Sequence, residues 1–435
     1  MGVLIPFVLI LFSCLLIWRA CDGFEIASEY IGRNLSEGVR GGTINAISSS
    51  LPELFTTLIA LFALSDTDGF AVGIGTTAGS ALFNGMIIPS LCIFFVVGTT
   101  VQNRTVTSVN VSTKVLLRDG LSLIACEFIL ILIISGDALH WWQGLVLVAL
   151  YIAYLIFMLS TMKRSAAAPG AGELSDSGDA DSDSSDESER PQGFPGKVFY
   201  WLSGGPLMDL ERWFVKDHHR QKMSDETWNG WPLLTCSTIV IAASCWLLVL
   251  ACEWLGTGTA NVEHPSYQLF GREWQGLGMP TMFVAVIFAS MATSVPDTVM
   301  SIRDARDGDY DDAVANALGS NIFDICFALG FPLLAYTLVH GSIRMSPEVV
   351  AQSGELRLLL LALTVVGFLV YYVGRRGVTA DGTICVEMKR GKAALLFGMY
   401  LAFVAYILGC SEHAAWAEAV SARLQQVLAW LPKAG

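Results

Sequence analysis

The chain has 435 residues, of which 53% are hydrophobic and 15% charged, with a mean hydropathy of +0.55 and a formal net charge of −13. This composition excludes an ordinary soluble enzyme, because so apolar a chain lacks the polar surface that a soluble fold of this size needs. We therefore expect an all-α polytopic membrane protein.

Ten apolar stretches are long enough, or nearly so, to cross about 30 Å of hydrocarbon as helices. They lie at 3–20, 41–64, 70–99, 119–136, 141–162, 232–255, 279–303, 311–337, 355–374 and 392–410. The first stretch lacks the positive residues that open a signal peptide, and Arg19 follows its apolar run. We therefore predict that it is the first membrane helix and is not cleaved.

Positive residues predict the orientation, because Lys and Arg concentrate in short cytoplasmic loops. With the amino terminus outside, 15 Lys and Arg residues fall on the inner side and 5 on the outer side, leaving out the long central loop. Both termini are predicted to be outside, in a plasma membrane or a bacterial inner membrane. The glycosylation-type triplets at Asn34, Asn103 and Asn110 would then face the cytoplasm and stay unmodified.

Residues 163–231 form a linker between two apolar halves. Its segment from Glu173 to Arg190 contains eight acids and one base, so we expect it to be solvated, either as a tether or as a phosphorylated or calcium-sensing regulator. The segment from Phe199 to Trp213 mixes aromatic and charged residues and is predicted to lie on the membrane surface. After the last stretch, the tail from Ser411 to Trp430 has the spacing of a short amphipathic helix.

A polar motif occurs twice inside the apolar sequence. The segment from Ser50 to Glu53 precedes that from Gly79 to Asn84, and the segment from Ser294 to Asp297 precedes that from Gly319 to Asp324. An odd number of crossings separates the two copies, so they point in opposite directions. The sequence therefore predicts two inverted five-helix repeats at 1–162 and 232–410, joined by the linker 163–231 and followed by an extracellular tail at 411–435.

The residue types in the two motifs indicate a cation site. Pro52 and Pro296 are expected to break their helices and free upstream carbonyls, and buried carboxylates at membrane depth mark function. The candidate side-chain ligands are all oxygen donors: Glu53, Asp297, Asp324, Asn84, Ser49, Ser50, Ser80, Thr293, Ser294 and Ser320. Such a set suits hard cations, especially calcium. Each single hydroxyl is explained equally well by helix packing, and Glu127, alone in its helix, is predicted to be paired or to snorkel.

These elements resemble the two alpha repeats of the calcium/cation antiporter superfamily. Ser-Ser-x-Pro-Glu and Thr-Ser-x-Pro-Asp, each followed by Gly-Ser-x-x-Phe-Asn/Asp, are most similar to its sodium/calcium exchanger branch, and in motif to the potassium-dependent members. The resemblance implies that Glu53 and Asp297 are central ligands and that Asn84 and Asp324 flank them. It also implies carbonyl ligands at Ala46 and Ser290, and alternating access by sliding of the first and sixth helices against the other eight.

The expected function is antiport of sodium against calcium, with potassium cotransport left open at Asp324 and proton/calcium antiport as the alternative. Asn45 and the pair Gly41-Gly42 resemble the proton-coupled branch, and Ser48 and Ala292 stand where the family has Gly. No His lies within the ten stretches, which disfavours a zinc transporter. We expect no enzyme activity and no cofactor, with the transported ions and membrane lipids as partners and no nucleic acid.

Overall fold

The computed structural model of the protein describes residues 1–31, 33, 46–64, 66–101, 104–166, 200–201, 205–258, 266–378, 382 and 384–432. Within these residues, seven helices are long and apolar enough to cross a membrane, and a bent pair adds an eighth if it counts as one span. The seven are Leu4–Ile31, Thr67–Val96, Trp141–Ser160, Trp231–Gly256, Tyr310–His340, Pro347–Tyr372 and Arg390–Ser411. The fold is thus mostly helical.

Two further helical elements occupy predicted stretches but do not meet that test of length and composition. Thr113–Ile133 is 21 residues long and carries several charges, including Arg118, Asp119 and Glu127. The other stretch is divided into Ala46–Ser49 and Leu51–Ala63. The predicted start of that stretch at 41–45, with Gly41, Gly42 and Asn45, lies outside the described residues.

The first helix, α1 (Leu4–Ile31), continues well beyond the predicted end at residue 20. The reason is packing, because Ala20, Gly23, Ala27 and Tyr30 extend one buried face beyond the apolar run. That face lies against the helix Trp231–Gly256. The apolar run of the sequence therefore ends before the packed helix does.

The two stretches that carry the motif prolines Pro52 and Pro296 are broken, and each break lies two residues before that proline. Ser50 separates Ala46–Ser49 from Leu51–Ala63, and Ser294 separates Ser290–Thr293 from Val295–Asp307. In the second stretch the two parts are bent by 44°. Pro52 and Pro296 occupy the second position of the following helix, where the missing N–H costs nothing.

Two π-helical turns interrupt the second half. One, Ala285–Ala289, lies between Thr281–Val284 and Ser290–Thr293, and the other, Asp324–Ala328, joins Tyr310–Phe323 to Leu329–His340. A π turn inserts one residue into a helix and redirects the side chains after it, which is why such turns are frequent at functional sites. The second turn begins at Asp324.

The two helices that carry the Gly-Ser elements form the centre of the molecule. In the apolar windows of Thr67–Val96 and Tyr310–His340, 78% and 67% of residues are buried, whereas the other spans are 33–39% buried. Asp66–Val96 packs against both broken stretches and against Tyr310–Phe323, Pro347–Tyr372 and Arg390–Ser411. The polar side chains of the motifs, Ser80, Asn84, Asp297 and Asp324 among them, are therefore fully buried.

Short antiparallel strands tie the halves together at two places. Strand β3 (Val109–Ser112) pairs with β9 (Ile384–Met388), which also pairs with β8 (Arg376–Val378). Strand β4 (Ala138–Leu139) pairs with β7 (Ile343–Arg344). Two local hairpins complete the set, one formed by β1 (Thr100–Val101) and β2 (Arg104–Thr105), the other by β5 (Tyr267–Leu269) and β6 (Arg272–Trp274).

In the described part of the linker, which follows its acidic segment, the short helices Gly205–Met208, Leu210–Phe214 and Asp217–Ser224 are present. The acidic segment from Glu173 to Arg190 lies outside the described residues, as do Asn34 and Asn103. The amphipathic helix predicted in the tail is present as Ala415–Leu428. It is held against Pro347–Tyr372 by Ser421 and Gln425, whose side chains donate to the carboxylate of Glu355.

Candidate cation site

The acidic residues of both motifs lie in the first turn after a helix break. Glu53 follows the break at Ser50, and Asp297 follows the break at Ser294. Both side chains are fully buried, as is Asp324 at the start of the second π turn. The N-terminal turn of a helix favours negative charge, because its backbone N–H groups lack partners within the helix. The breaks therefore place both carboxylates where a buried charge is best tolerated.

Ser80 connects the two halves of the molecule. Its Oγ lies 3.1 Å from Oε1 of Glu53, 2.9 Å from Oδ2 of Asp324 and 2.9 Å from Oγ of Ser294. A hydroxyl has a single proton, so Ser80 can donate to only one of the two carboxylates at a time. The hydrogen-bond network therefore leaves the carboxylates only partly satisfied.

Asn84, one turn further along the same helix, makes the second connection. Its Nδ2 donates to Oδ2 of Asp297 at 3.0 Å and lies 3.4 Å from both Oγ of Ser80 and Oγ of Ser320. The side chains of one central helix thus reach Asp297, Ser320 and, through Ser80, Asp324 on the other half. The structure brings together all the acids and the amide that the sequence singled out.

The break residues contact the acids of the opposite half. Thr293 lies beside Glu53, and Ser49 lies beside Asp297. Ser50 faces Asp324, although its Oγ has no hydrogen-bond partner among the described residues. This crosswise arrangement means that neither half forms the cluster alone.

Five buried oxygen atoms of this cluster accept no hydrogen bond from the described residues. They are Oγ of Ser50, Oε2 of Glu53, Oδ1 of Asn84, Oδ1 of Asp297 and Oδ1 of Asp324. Buried polar atoms are nearly always paired, because an unpaired one costs about 1–3 kcal/mol. Unpaired carboxylate, amide and hydroxyl oxygens are the donors that hard cations prefer.

The cluster is not a preformed cage of charged ligands. Within the described part of the chain, no three His, Cys, Asp or Glu side chains are arranged to hold a metal ion. Ser80 and Asn84 instead stand between the three carboxylates and bridge them. A cation bound here would be held by a mixture of carboxylate, hydroxyl and amide oxygens.

The structure describes the surroundings of one of the two implied carbonyl ligands, that of Ser290. The Ser290 carbonyl accepts the backbone N–H of Ser294 at 3.0 Å and the hydroxyl of Thr293 at 3.2 Å, so the break does not free it. Its engagement follows from the position of the break, which lies after this hydrogen bond. Ala46 begins the short helix before the first break, and the position of its side chain is not described.

Gly79 and Gly319 occupy equivalent places in the two motifs but different surroundings. A Cβ on Gly79 would meet the carbonyl oxygen of Val286 and come within 2.8 Å of Ser290 Cβ. A Cβ on Gly319 would find its nearest neighbour, the Tyr154 hydroxyl, at 4.0 Å. Only Gly79 therefore allows a close approach, between the central helix and the first π turn.

We expect Gly79→Ala to destabilise the protein by about 1–3 kcal/mol, the usual cost of overpacking, while Gly319→Ala does not destabilise it, because the added Cβ has room inside a helix. The measurement is thermal unfolding of the purified protein in detergent, with the two variants compared side by side. Equal melting temperatures for both variants would contradict the close approach at Gly79.

Two features of this region did not follow from the sequence. The π turns lie in apolar sequence that predicts an ordinary α-helix. The local sequence signal for a π turn is the polar Asp324, which begins one of them. Of the two alternatives predicted for Glu127, the side chain does not snorkel, because it is fully buried, and its Oε1 accepts a hydrogen bond from the Thr364 hydroxyl. His340 lies outside the predicted stretch 311–337, but in the structure it is the last residue of the helix Leu329–His340.

Comparison with known proteins adds evidence that is independent of this geometry. The sequence matches the family described as sodium/calcium exchanger protein over residues 5–160 and 236–409. It is 26% identical over 485 residues to sodium/potassium/calcium exchanger 4 of Mus musculus, covering 80% of this chain and 74% of that protein. It is also 38% identical over 141 residues to sodium/potassium/calcium exchanger 3 of Rattus norvegicus, covering 32% of this chain and 20% of that protein.

A solved structure shares the fold. The H+/Ca2+ exchanger CAX superposes with a TM-score of 0.54 at 13% sequence identity, over 98% of this chain and 91% of that chain. At this identity the likeness concerns the fold alone. Each of the two sequence blocks that match the family contains one helix break and one Gly-Ser element.

Proposed function

Because the chain belongs to the sodium/calcium exchanger protein family, we propose that it is a secondary active antiporter that exchanges sodium for calcium across a membrane. The two relatives compared by sequence are sodium/potassium/calcium exchangers. Potassium cotransport is therefore part of the proposal. The chain acts as a transporter and not as an enzyme, and its substrates are the ions themselves.

One observation carries this proposal: a buried cluster that both halves of the chain build contains five oxygen atoms without a hydrogen-bond partner among the described residues. Three carboxylates balance the charge of roughly one divalent ion or of two to three monovalent ions. The two loadings compete for the same oxygens, which provides a physical basis for exchange. Glu53, Asp297 and Asp324 are the charged ligands in this account, with Asn84, Ser50 and Ser80 beside them.

The remaining candidates have supporting roles. Ser49, Thr293, Ser294 and Ser320 lie in contact with the acids or with Ser80 and Asn84, so they can turn their hydroxyls toward a bound ion. The carbonyls of Ala46 and Ser290 become ligands only if the short helices before the breaks unwind further. That local unwinding is part of the proposed transport cycle.

The proposed architecture has ten membrane spans in two inverted repeats, at 1–162 and 232–410. Ala46–Ala63 and Thr113–Ile133 are added to the eight apolar spans to reach this number. The strand pairs support the inversion. Strands β3 and β9 lie in the loops before the fourth and the tenth spans. In two equivalent five-span repeats, the fourth span corresponds to the ninth and the tenth to the fifth. The loops before those spans contain β7 and β4, which pair in the same way.

This architecture places residues 163–231 as a cytoplasmic acidic linker and 411–435 as an extracellular tail, with both termini outside. Access then alternates when the first and sixth spans slide against the other eight. These two spans, Leu4–Ile31 and Trp231–Gly256, pack closely against each other and therefore can move as one unit. Trp231–Gly256 also packs on Leu51–Ala63, which follows the first break.

The proposal is tested by radiolabelled calcium uptake into vesicles that contain the purified protein. We expect an outward sodium gradient to drive uptake, and an outward proton gradient of equal size to drive none. Potassium is varied separately on the two sides. Uptake that follows the proton gradient alone would favour proton/calcium antiport, and uptake that needs no counter-ion would indicate a channel.

A further inference from the structure

Glu127 is a buried carboxyl group that the proposed exchange site does not use. It lies on Thr113–Ile133, its side chain is fully buried, and its Oε1 accepts a hydrogen bond of 2.7 Å from the Thr364 hydroxyl on Pro347–Tyr372. Its Oε2 has no hydrogen-bond partner among the described residues. One neutral donor is therefore the only polar support that this carboxyl group receives there.

No positive group compensates Glu127. Its electrostatic neighbours are the thiols of Cys126 and Cys326, and it forms no salt bridge with a described Lys, Arg or His. The helices and turns packed against Thr113–Ile133 carry further titratable groups, none of which interacts with Glu127 directly: Tyr151, Tyr154, Asp311, Asp324 and Arg357. An ionised carboxylate in such surroundings is strongly unfavourable.

Binding of a hard cation does not offset the cost of burying this carboxylate. Calcium takes about six to eight oxygen ligands, whereas the Thr364 hydroxyl is the one side-chain oxygen of the described residues that is hydrogen-bonded to Glu127. Within the described residues, no metal-holding group of His, Cys, Asp and Glu is formed here. The central cluster differs, because it contains five unpaired oxygens from both halves.

We propose that Glu127 is a proton-binding site, separate from the exchange site, at which a neutral carboxylic acid is held by the hydrogen bond from Thr364. The proton resides on the unpaired Oε2. A neutral acid at this position adds no charge to the protein interior. Loss of the proton would create a buried negative charge between Thr113–Ile133, Pro347–Tyr372 and the second π turn.

The position of Glu127 links this proton to the exchange site. Cys326 lies near Glu127 and in the same π turn as Asp324, two residues further along the chain, and this turn packs against Thr113–Ile133. A new charge at Glu127 therefore acts directly on the turn that carries a proposed ligand. We expect exchange to fall by about fivefold or more as alkaline pH removes the proton, a typical size for coupling between two sites. This consequence for transport rests on the proposed exchange function, whereas the protonation itself does not.

The protonation is measured by infrared spectroscopy of the purified protein at neutral pH and saturating calcium, without any transport. We expect wild type to show a carboxylic acid C=O band that is absent in Glu127→Gln. The matched control is Glu348→Gln on Pro347–Tyr372, because Glu348 is exposed and lies away from Thr364, so this variant should keep the band. A wild-type spectrum without the band would overturn the proposal.

Thr364→Val is a second variant, which keeps Glu127 and removes its donor. Because the hydroxyl donates to the carboxyl group, its loss should let the acid band persist to higher pH than in wild type. In vesicles, the alkaline fall of sodium-driven calcium uptake should be absent in Glu127→Gln and shifted upward in Thr364→Val. An acid band that disappears in Glu127→Gln together with an unchanged pH profile of uptake would overturn the link to transport. Absence of all uptake in wild type would refute the exchange function and leave the infrared result intact.

Discussion

Asp297→Asn and Glu53→Gln are each expected to abolish calcium uptake driven by an outward sodium gradient. Each substitution keeps the size of the side chain and removes one of three buried negative charges that face a shared set of hydroxyl and amide groups. Removing a charged partner of a buried ion costs about 2–5 kcal/mol, which is roughly 30-fold to several thousandfold in affinity. At calcium concentrations near the wild-type dissociation constant, a loss of this size leaves the site almost empty, so uptake falls to background.

The measurement is radiolabelled calcium uptake into vesicles that hold equal amounts of wild type and variant. Asp307→Asn is a matched control, because Asp307 is exposed at the other end of the helix that begins near Asp297. It should transport as wild type does. Near-normal uptake in both Asp297→Asn and Glu53→Gln would remove these two acids from the site.

The second large effect is expected at Asp324. This residue occupies the position in the second repeat that Asn84 occupies in the first, so the two repeats differ in charge here. If potassium is carried, Asp324→Asn should retain sodium/calcium exchange and lose its stimulation by potassium. The reason is that Glu53 and Asp297 keep their charges, while the carboxylate beside Ser80 becomes neutral. Uptake is measured in vesicles with and without potassium on the calcium side.

The control for this variant is Asp312→Asn, which neutralises an exposed acid at the start of the same helix. Its response to potassium should match that of wild type. Loss of all exchange in Asp324→Asn would make Asp324 a ligand shared by every ion, and retained potassium stimulation would place the potassium determinant elsewhere.

Much of the candidate site could be predicted from residue types alone. A carboxylate inside an apolar stretch is costly enough to require a reason, and Glu53, Asp297 and Asp324 occurred in a repeated context. The structure places them in one cluster, with Asn84 and Ser80 between them. Proline also indicated the broken stretches correctly, to within two residues of each break.

Other features depend on contacts between distant parts of the chain, which hydropathy does not encode. The first helix extends to Ile31 because small residues face a neighbouring helix, and Gly79 is required because a π turn approaches it. Glu127 has no counterpart in the other half, so the repeat gave no information about it. The Ser290 carbonyl remains bonded because the break begins one hydrogen bond later than the resemblance implied.

The central claim is that sodium and calcium compete for one cluster built by both halves. Its most direct test is calcium binding to the purified protein in detergent, measured calorimetrically at increasing sodium concentrations. The account predicts that sodium weakens the apparent calcium affinity competitively, and that the double variant Glu53→Gln, Asp297→Asn binds no calcium. Calcium binding that persists in the double variant, or that sodium does not displace, would contradict it.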